Sequence, residues 1–355
     1  PGMTIIRSRD LVNWQFAGHA VNDLTQIGPE LNWNRMNRYG RGIWAGTLRH
    51  HQGRFYLFFG CPDESFFMTS AEKAEGPWEP LTCLLPERGW DDCTAYWDER
   101  TGKVWFVGTH FADGYKTYLM PMAQDGRSID TSKPRLINEG SGREASKIIK
   151  HGDYYYLVFS EHKGGKGRYV MAKRTHRLED GFTEERQLAV ASVEANEPNQ
   201  GGIIQAPGGQ WYFLTHHGTG DWSGRIVSLL PVTWIDGWPI IGSLRQDGLG
   251  QMAWQGQMPV PSASVQRPAT VLAEASVSSS RAAGDFVAGL KRSDDFDAPY
   301  LSPQWQWNYQ PRATHFSLTD RPGWLRLKAF KPLEHDNLLK AGNTLTARVF
   351  RTEKS

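Results

Sequence analysis

Cysteine is scarce: Cys61, Cys83 and Cys93 are the three in 355 residues. An odd number this small makes no disulfide framework, and no Cys-x-x-Cys spacing occurs that would hold zinc. Long hydrophobic runs are missing too. Nowhere do about 18 apolar residues follow one another, which excludes a membrane-spanning helix. The opening PGMTIIRSRD has no apolar h-region and does not read as a signal peptide, so the compartment is unreadable. Neither sign of charge is in excess, since 40 Lys and Arg against 38 Asp and Glu leave +2. That balance is no footprint for nucleic acid or for an anionic membrane, and neither is expected as a partner. A phosphate-binding loop and a Gly-x-Ser-x-Gly elbow are also absent.

What the chain does have is aromatic residues and glycine, with 15 Trp and 37 Gly. Residues 142–161, GREASKIIKHGDYYYLVFSE, read as a strand, a tight turn at His151-Gly152-Asp153 and an aromatic strand. The same hairpin recurs over residues 42–60, 91–110 and 199–218, with turn glycines Gly53, Gly102, Gly152 and Gly209. Each hairpin is followed by a second strand-like half. A repeat of roughly 50 residues with four strands per unit is the signature of a β-propeller. Apolar residues alternate or run in short blocks without 3.6-residue spacing, so a helical reading fails. Residues 3–8 with Leu11, Val12, Asn13 and Trp14 look like a second half with no first half before them. The expected fold is therefore all-β, a five-bladed propeller whose first blade is incomplete. From residue 257 the texture becomes rich in Ser, Ala and Pro. The expected division is a propeller over 1–256, a linker over 257–290, and the start of a second β domain over 291–355.

Glu144 opens the first strand of its hairpin, and simple alternation puts it on one face with Ser146 and Ile148. It lies eight residues before Gly152, and Asp92 lies ten before Gly102 in a turn about two residues longer. Aligned on those glycines, Asp92 and Glu144 hold one position in neighbouring blades, and Ala45 and Gly201 hold it in the other two. Innermost propeller strands line the central channel, so two carboxylates at one position converge on it. Paired carboxylates are the apparatus of glycoside hydrolysis, where one gives a proton to the leaving oxygen. A neighbouring like charge keeps that acid protonated. Singly, each has a commoner reading, a surface Glu at a strand end and a turn-capping Asp. The shared register favours function.

Several stretches carry a family resemblance: Ser8-Arg9-Asp10-Leu11-Val12-Asn13-Trp14, Arg38-Tyr39-Gly40-Arg41-Gly42-Ile43-Trp44-Ala45, and Asp92-Cys93-Thr94-Ala95-Tyr96-Trp97-Asp98. Residues 144–156 and 230–239 add to them. Over about residues 1–245 the chain resembles glycoside hydrolase family 43, the β-xylosidases and α-L-arabinofuranosidases on a five-bladed propeller. Residues 291–355 are similar to the start of the β-sandwich that often follows. The resemblance implies inverting release of terminal β-xylosyl or α-L-arabinofuranosyl residues from plant cell-wall polysaccharide or oligosaccharides, so carbohydrate is the expected partner. By the same resemblance Glu144 matches the general acid, and Asp92 the aspartate that tunes it and orients substrate. The family's base is an Asp in the first strand of the first blade, which would precede Pro1.

Arg225 resembles an arginine that hydrogen-bonds sugar hydroxyls. Trp44 could stack on a sugar ring, although a core Trp is the commoner outcome. One of His216 and His217 could face the channel, where family members hold a calcium ion or water. A hydrogen-bonded strand-end His is commoner, and calcium prefers oxygen ligands. No cofactor is expected, and a structural calcium in the channel stays open. The chain departs from the family pattern at Gly46, and at Ala145-Ser146-Lys147, where Gly-Pro-His is usual. The rival readings are a sugar-binding propeller without turnover and a protein-interaction propeller. The latter predicts polar, uncharged residues at positions 92 and 144.

Overall fold

The computed structural model describes residues 2–9, 11, 14–140, 142–162, 167–190, 199–206, 208–218, 225–252 and 293–347. No α-helix occurs among them. The first sheet pairs β1 (Gly2–Ser8) with β2 (Trp14–Val21). Leu11 was expected in a strand but sits in the turn between these two, at a φ of 62°, with its N–H donated to Ser8 Oγ.

Four antiparallel four-stranded blades follow. The second is β3 (Gly46–His51), β4 (Arg54–Cys61), β5 (Ser65–Ala71) and β6 (Thr82–Leu85). The third is β7 (Trp90–Asp98), β8 (Lys103–His110), β9 (Lys116–Met122) and β10 (Arg135–Asn138). The fourth is β11 (Arg143–His151), β12 (Tyr154–His162), β13 (Arg168–Thr175) and β14 (Glu184–Val190). The fifth is β15 (Asn199–Gln205), β16 (Trp211–Gly218), β17 (Arg225–Ile235) and β18 (Trp238–Ile241). The all-β, five-bladed arrangement with a two-stranded first blade matches the repeat count.

The core lies between blades, and this explains the aromatic runs. Successive side chains of a strand point to opposite faces. On β12, Tyr155, Leu157 and Phe159 pack toward the third blade, while Tyr156 and Val158 pack toward the fifth. On β4, Leu57 and Phe59 face the first sheet, and Phe58 faces the third blade. A strand buried on both faces has no polar side to show, so it reads as continuous apolar sequence.

After β18 the chain turns back through β19 (Ser243–Leu244) and β20 (Gly250–Gln251). β20 runs parallel to β14, which ties the fifth blade's exit to the fourth blade. The approach is close enough that a Cβ on Gly250 would lie 1.9 Å from the Ile241 carbonyl oxygen. The linker expected at 257–290 lies outside the described residues.

The β-sandwich segment pairs β21 (Trp305–Trp307) with β24 (Leu345–Ala347), and β22 (Phe316–Ser317) with β23 (Arg326–Leu327). It docks on the loop between β2 and β3. Gln310 N–H donates to Leu31 O at 3.0 Å, and its Oε1 accepts the Leu24 N–H at 3.0 Å. The Tyr309 hydroxyl accepts from Arg38 N, and the Arg312 guanidinium lies 4.7 Å over the Trp33 ring. The second β unit thus braces the loop that leads into Trp44.

Candidate active site

Three innermost strands carry a bulge near the same end of the channel: between Asp91 and Thr94, between Glu144 and Lys147, and between Asn199 and Gly201. The bulged residue takes a left-handed conformation each time, with φ of 52° at Asp92, 63° at Ala145 and 51° at Gln200. On the remaining inner strand, Trp44 N–H donates to Gly60 O while Gly46 pairs with Phe59, which leaves Ala45 as the extra residue. Two rings of equivalent positions follow: Trp44, Asp91, Glu144 and Asn199 form one, and Ala45, Asp92, Ala145 and Gln200 the other.

This corrects the alignment drawn on turn glycines. Asp92 and Ala45 are equivalent, but Glu144 stands one residue earlier and Gly201 one later. The cause is the turns. Gly152 follows directly on the last paired residue His151, whereas Gly102 comes four residues after Asp98. The bulge also resets alternation. Glu144 pairs with Ser160 and Lys147 with Val158, two residues apart on β12, so Glu144 shares its face with Lys147 and not with Ser146.

The two expected carboxylates do meet. Asp92 is buried, and its Oδ2 accepts the N–H of Ala145, the residue next to Glu144, at 2.9 Å. Its Oδ1 accepts from Gln200 Nε2 at 2.8 Å. Asp92 therefore ties three blades together through one carboxylate. Glu144 is 12% exposed and forms an ion pair with Arg168. Burial first, then the Asp92 charge, pushes the Glu144 carboxyl above its usual range, while Arg168 and Arg225 pull it down. Burial also raises Asp92, opposed first by Lys147 and then by the Ala145 N–H, Arg168 and Arg225. A carboxyl that is largely buried, open at one end and raised in pKa can hold a proton and deliver it to an oxygen.

The other candidates sort differently. Trp44 is 44% exposed and is no core residue; it holds in its blade the register of Glu144, beside Phe111 at 6.5 Å. Arg225 opens β17 and its charge reaches both Asp92 and Glu144. His216 lies on the second strand of its blade, opposite Asn199, as Ser160 lies opposite Glu144. The His217 side chain lies outside the described residues.

Sequence reading missed Arg168. It opens β13 two residues before Val170, as Arg225 opens β17 two before Val227; Val170 and Val227 pair with the equivalent residues Ser160 and His216. Repeat register would have found it. Asp91 was also missed. It is fully buried in the Glu144 register, neither carboxylate oxygen has a hydrogen-bond partner among the described residues, and burial, then Asp92, pushes it to about 8. A Cβ on Gly60 would come within 2.5 Å of Asp91 Oδ1, so the glycine makes room for the carboxyl.

Comparison with known proteins decides the family. The profile described as "Glycosyl hydrolases family 43" matches residues 1–239. The chain belongs to glycosyl hydrolases family 43. A second profile, "Beta xylosidase C-terminal Concanavalin A-like domain", matches residues 293–353 of this family 43 chain. A "Beta-xylosidase" of Formosa agariphila is 31% identical, over 95% of this chain and 57% of the relative. A "Non-reducing end alpha-L-arabinofuranosidase" of Bacteroides ovatus is 28% identical, over 92% of this chain and 59% of the relative. The chain thus spans less than two thirds of the length of these relatives. Among solved structures, a "Bifunctional GH43-CE" of Bacteroides eggerthii superposes with a TM-score of 0.77 at 28% identity, over 98% of this chain and 42% of that one.

Proposed function

We propose that this family 43 chain is the catalytic part of an inverting glycosidase that releases terminal β-xylosyl or α-L-arabinofuranosyl residues from plant cell-wall material. Glu144 is the general acid, and Asp92 tunes it and orients substrate. The base is an aspartate outside residues 1–355. The carrying observation is the Asp92 carboxylate bonded to the backbone next to a largely buried, partly open Glu144. Trp44 offers an aromatic face at the mouth, and Arg168 and Arg225 offer donors for sugar hydroxyls. Relatives named as a β-xylosidase and an α-L-arabinofuranosidase support turnover over mere binding. The test is a panel of aryl β-xyloside, aryl α-L-arabinofuranoside and aryl β-glucoside on the natural full-length protein. Cleavage of one or both pentosides is expected; cleavage of the glucoside alone, or of none, overturns the reading.

Asp92→Asn keeps the shape and one acceptor for Ala145 N–H while removing a charge. Glu144 serves as an acid only below its own pKa, and Asp92 is part of what raises that pKa. The alkaline limb of kcat/KM is therefore expected to move to lower pH, with activity above the limb falling about tenfold for each unit of displacement. An unmoved alkaline limb would show that Asp92 does not act on the acid.

A further inference from the structure

Arg168 reaches the proposed acid across the sheet of the fourth blade. It opens β13, Glu144 lies near the start of β11, and β12 runs between them. Glu144 pairs with Ser160 of β12, and Ser160 pairs with Val170 of β13, two residues beyond Arg168. Alternation puts Arg168 and Val170 on one face of β13. Neighbouring strands lie about 4.8 Å apart, so the backbones of β11 and β13 are roughly 10 Å from one another. Two long side chains bridge that span. Arg168 Nη1 donates to Glu144 Oε1 and forms an ion pair with it, and the two side chains are 21% and 12% exposed. Among the described residues no three His, Cys, Asp or Glu side chains gather to hold a metal ion. The cation found against Glu144 is the guanidinium.

Arg225 is an internal control. It opens β17 two residues before Val227, as Arg168 stands two before Val170. In its blade the register of Glu144 is held by the uncharged residue Asn199. Arg225 is exposed. The fold thus puts an arginine at this point in two blades, and the one with a carboxylate across its sheet folds back onto it.

Such a pair opposes acid catalysis. A cation beside a carboxyl favours the ionised form, which has no proton to give, and lowers the pKa by about one to three pH units. The charged groups that bear on Glu144 are Asp91 and Asp92 of β7, Arg168 of β13 and Arg225 of β17, with Lys147 on its own face of β11. Burial and then Asp92 raise the Glu144 carboxyl, and Arg168 works against both. We propose that Arg168 is a positioning residue that keeps Glu144 paired in the unliganded protein and releases it when a pentose hydroxyl accepts the guanidinium donors, so that substrate binding itself loads the acid with its proton. The proton comes from solvent as the ion pair opens, and Glu144 then gives it to the leaving oxygen. This deepens the reading of Glu144 as the general acid and rests on it.

The test compares the natural full-length protein with Arg168→Met and Arg168→Lys on an aryl β-xyloside and an aryl α-L-arabinofuranoside. The alkaline limb of kcat/KM reports the acid in the free protein, and that of kcat the acid in the complex. In the parent the kcat limb should lie at the higher pH, by about one to three units. Arg168→Met should raise the kcat/KM limb by about one unit or more and close most of the gap. Arg168→Lys keeps a cation and should preserve part of the gap. Loss of a merely structural residue would lower kcat/KM at every pH and leave both limbs in place. Calorimetry with xylose and L-arabinose, in two buffers of different ionisation enthalpy, needs no variant. Between the two limbs, the parent should take up protons on binding the sugar. Coincident limbs in the parent, an unmoved kcat/KM limb in a folded Arg168→Met, or sugar binding without proton uptake would each overturn the proposal. If Arg168→Met fails to fold, the parent's limbs and the calorimetry decide. A parent that cleaves pentosides with coincident limbs sinks this proposal alone, whereas one that cleaves none sinks the glycosidase reading and the proposal together.

Discussion

Glu144→Gln in the natural full-length protein is expected to lower kcat by roughly 10²–10⁴-fold on substrates with poor leaving groups. The substitution keeps size and hydrogen-bonding reach but cannot transfer a proton. On the proposed reading Glu144 makes that transfer: it is largely buried, with a small open fraction, raised by burial and by Asp92, and paired with Arg168. A leaving group that departs well as an anion needs little protonation. The loss should therefore shrink along a series of aryl pentosides as the phenol becomes more acidic. The alkaline limb of the pH profile should also disappear, because it reports the acid losing its proton. A loss of the same size for every leaving group would mean that Glu144 acts by position or charge and not as the proton donor.

Much of the candidate site was legible in the sequence, and the misses have physical causes. The blade count followed from turn glycines, because a tight hairpin turn needs positive φ and glycine supplies it cheaply. Gly53, Gly102, Gly152 and Gly209 all adopt it. The aromatic second strands followed from burial on both faces. The register of Asp92 and Glu144 failed by one residue because the hairpin turns differ by more than the sequence showed: Gly152 follows directly on His151, whereas Gly102 comes four residues after Asp98. The bulge that puts Glu144 on the face of Lys147 was missed because it adds a residue without leaving a compositional mark. Asp92, Ala145 and Gln200 share a left-handed backbone and have nothing in common as side chains. A glycine in each of the three places would have betrayed the bulge. The same blindness hid Arg168, whose likeness to Arg225 is visible only once the second strands are paired residue by residue. Trp44 stood as a candidate sugar platform with a core place as the commoner alternative, and its exposure removes that alternative. A large aromatic is normally core, and only its place in the Glu144 ring, beside Phe111 at the mouth, accounts for its exposure.

Residues 1–355, compared with a chain extended upstream by a first-blade strand that carries an aspartate, are expected to bind pentose but to hydrolyse aryl pentosides roughly 10²–10⁴-fold more slowly. Inverting hydrolysis needs a base that activates water on the face of the sugar opposite the acid, with the two carboxyls about 6.5–9.5 Å apart. The carboxylates placed against Glu144 do not meet that need. Asp92 is bonded to the backbone beside the acid, and both its oxygens already accept hydrogen bonds. Asp91 is fully buried and raised to about 8, so it carries a proton at the pH where a base must not. The resemblance puts the base in the first strand of the first blade, and the described first sheet holds two strands where each later blade begins with four. Glu144, Arg168, Arg225 and Trp44 would still offer hydrogen bonds and an aromatic face, which is why binding should outlast turnover. Calorimetry with xylose and arabinose measures the first, and aryl pentoside kinetics the second. Equal turnover by the two proteins would place the base within residues 1–355, and would make an Asp91 freed of its proton the first carboxylate to mutate.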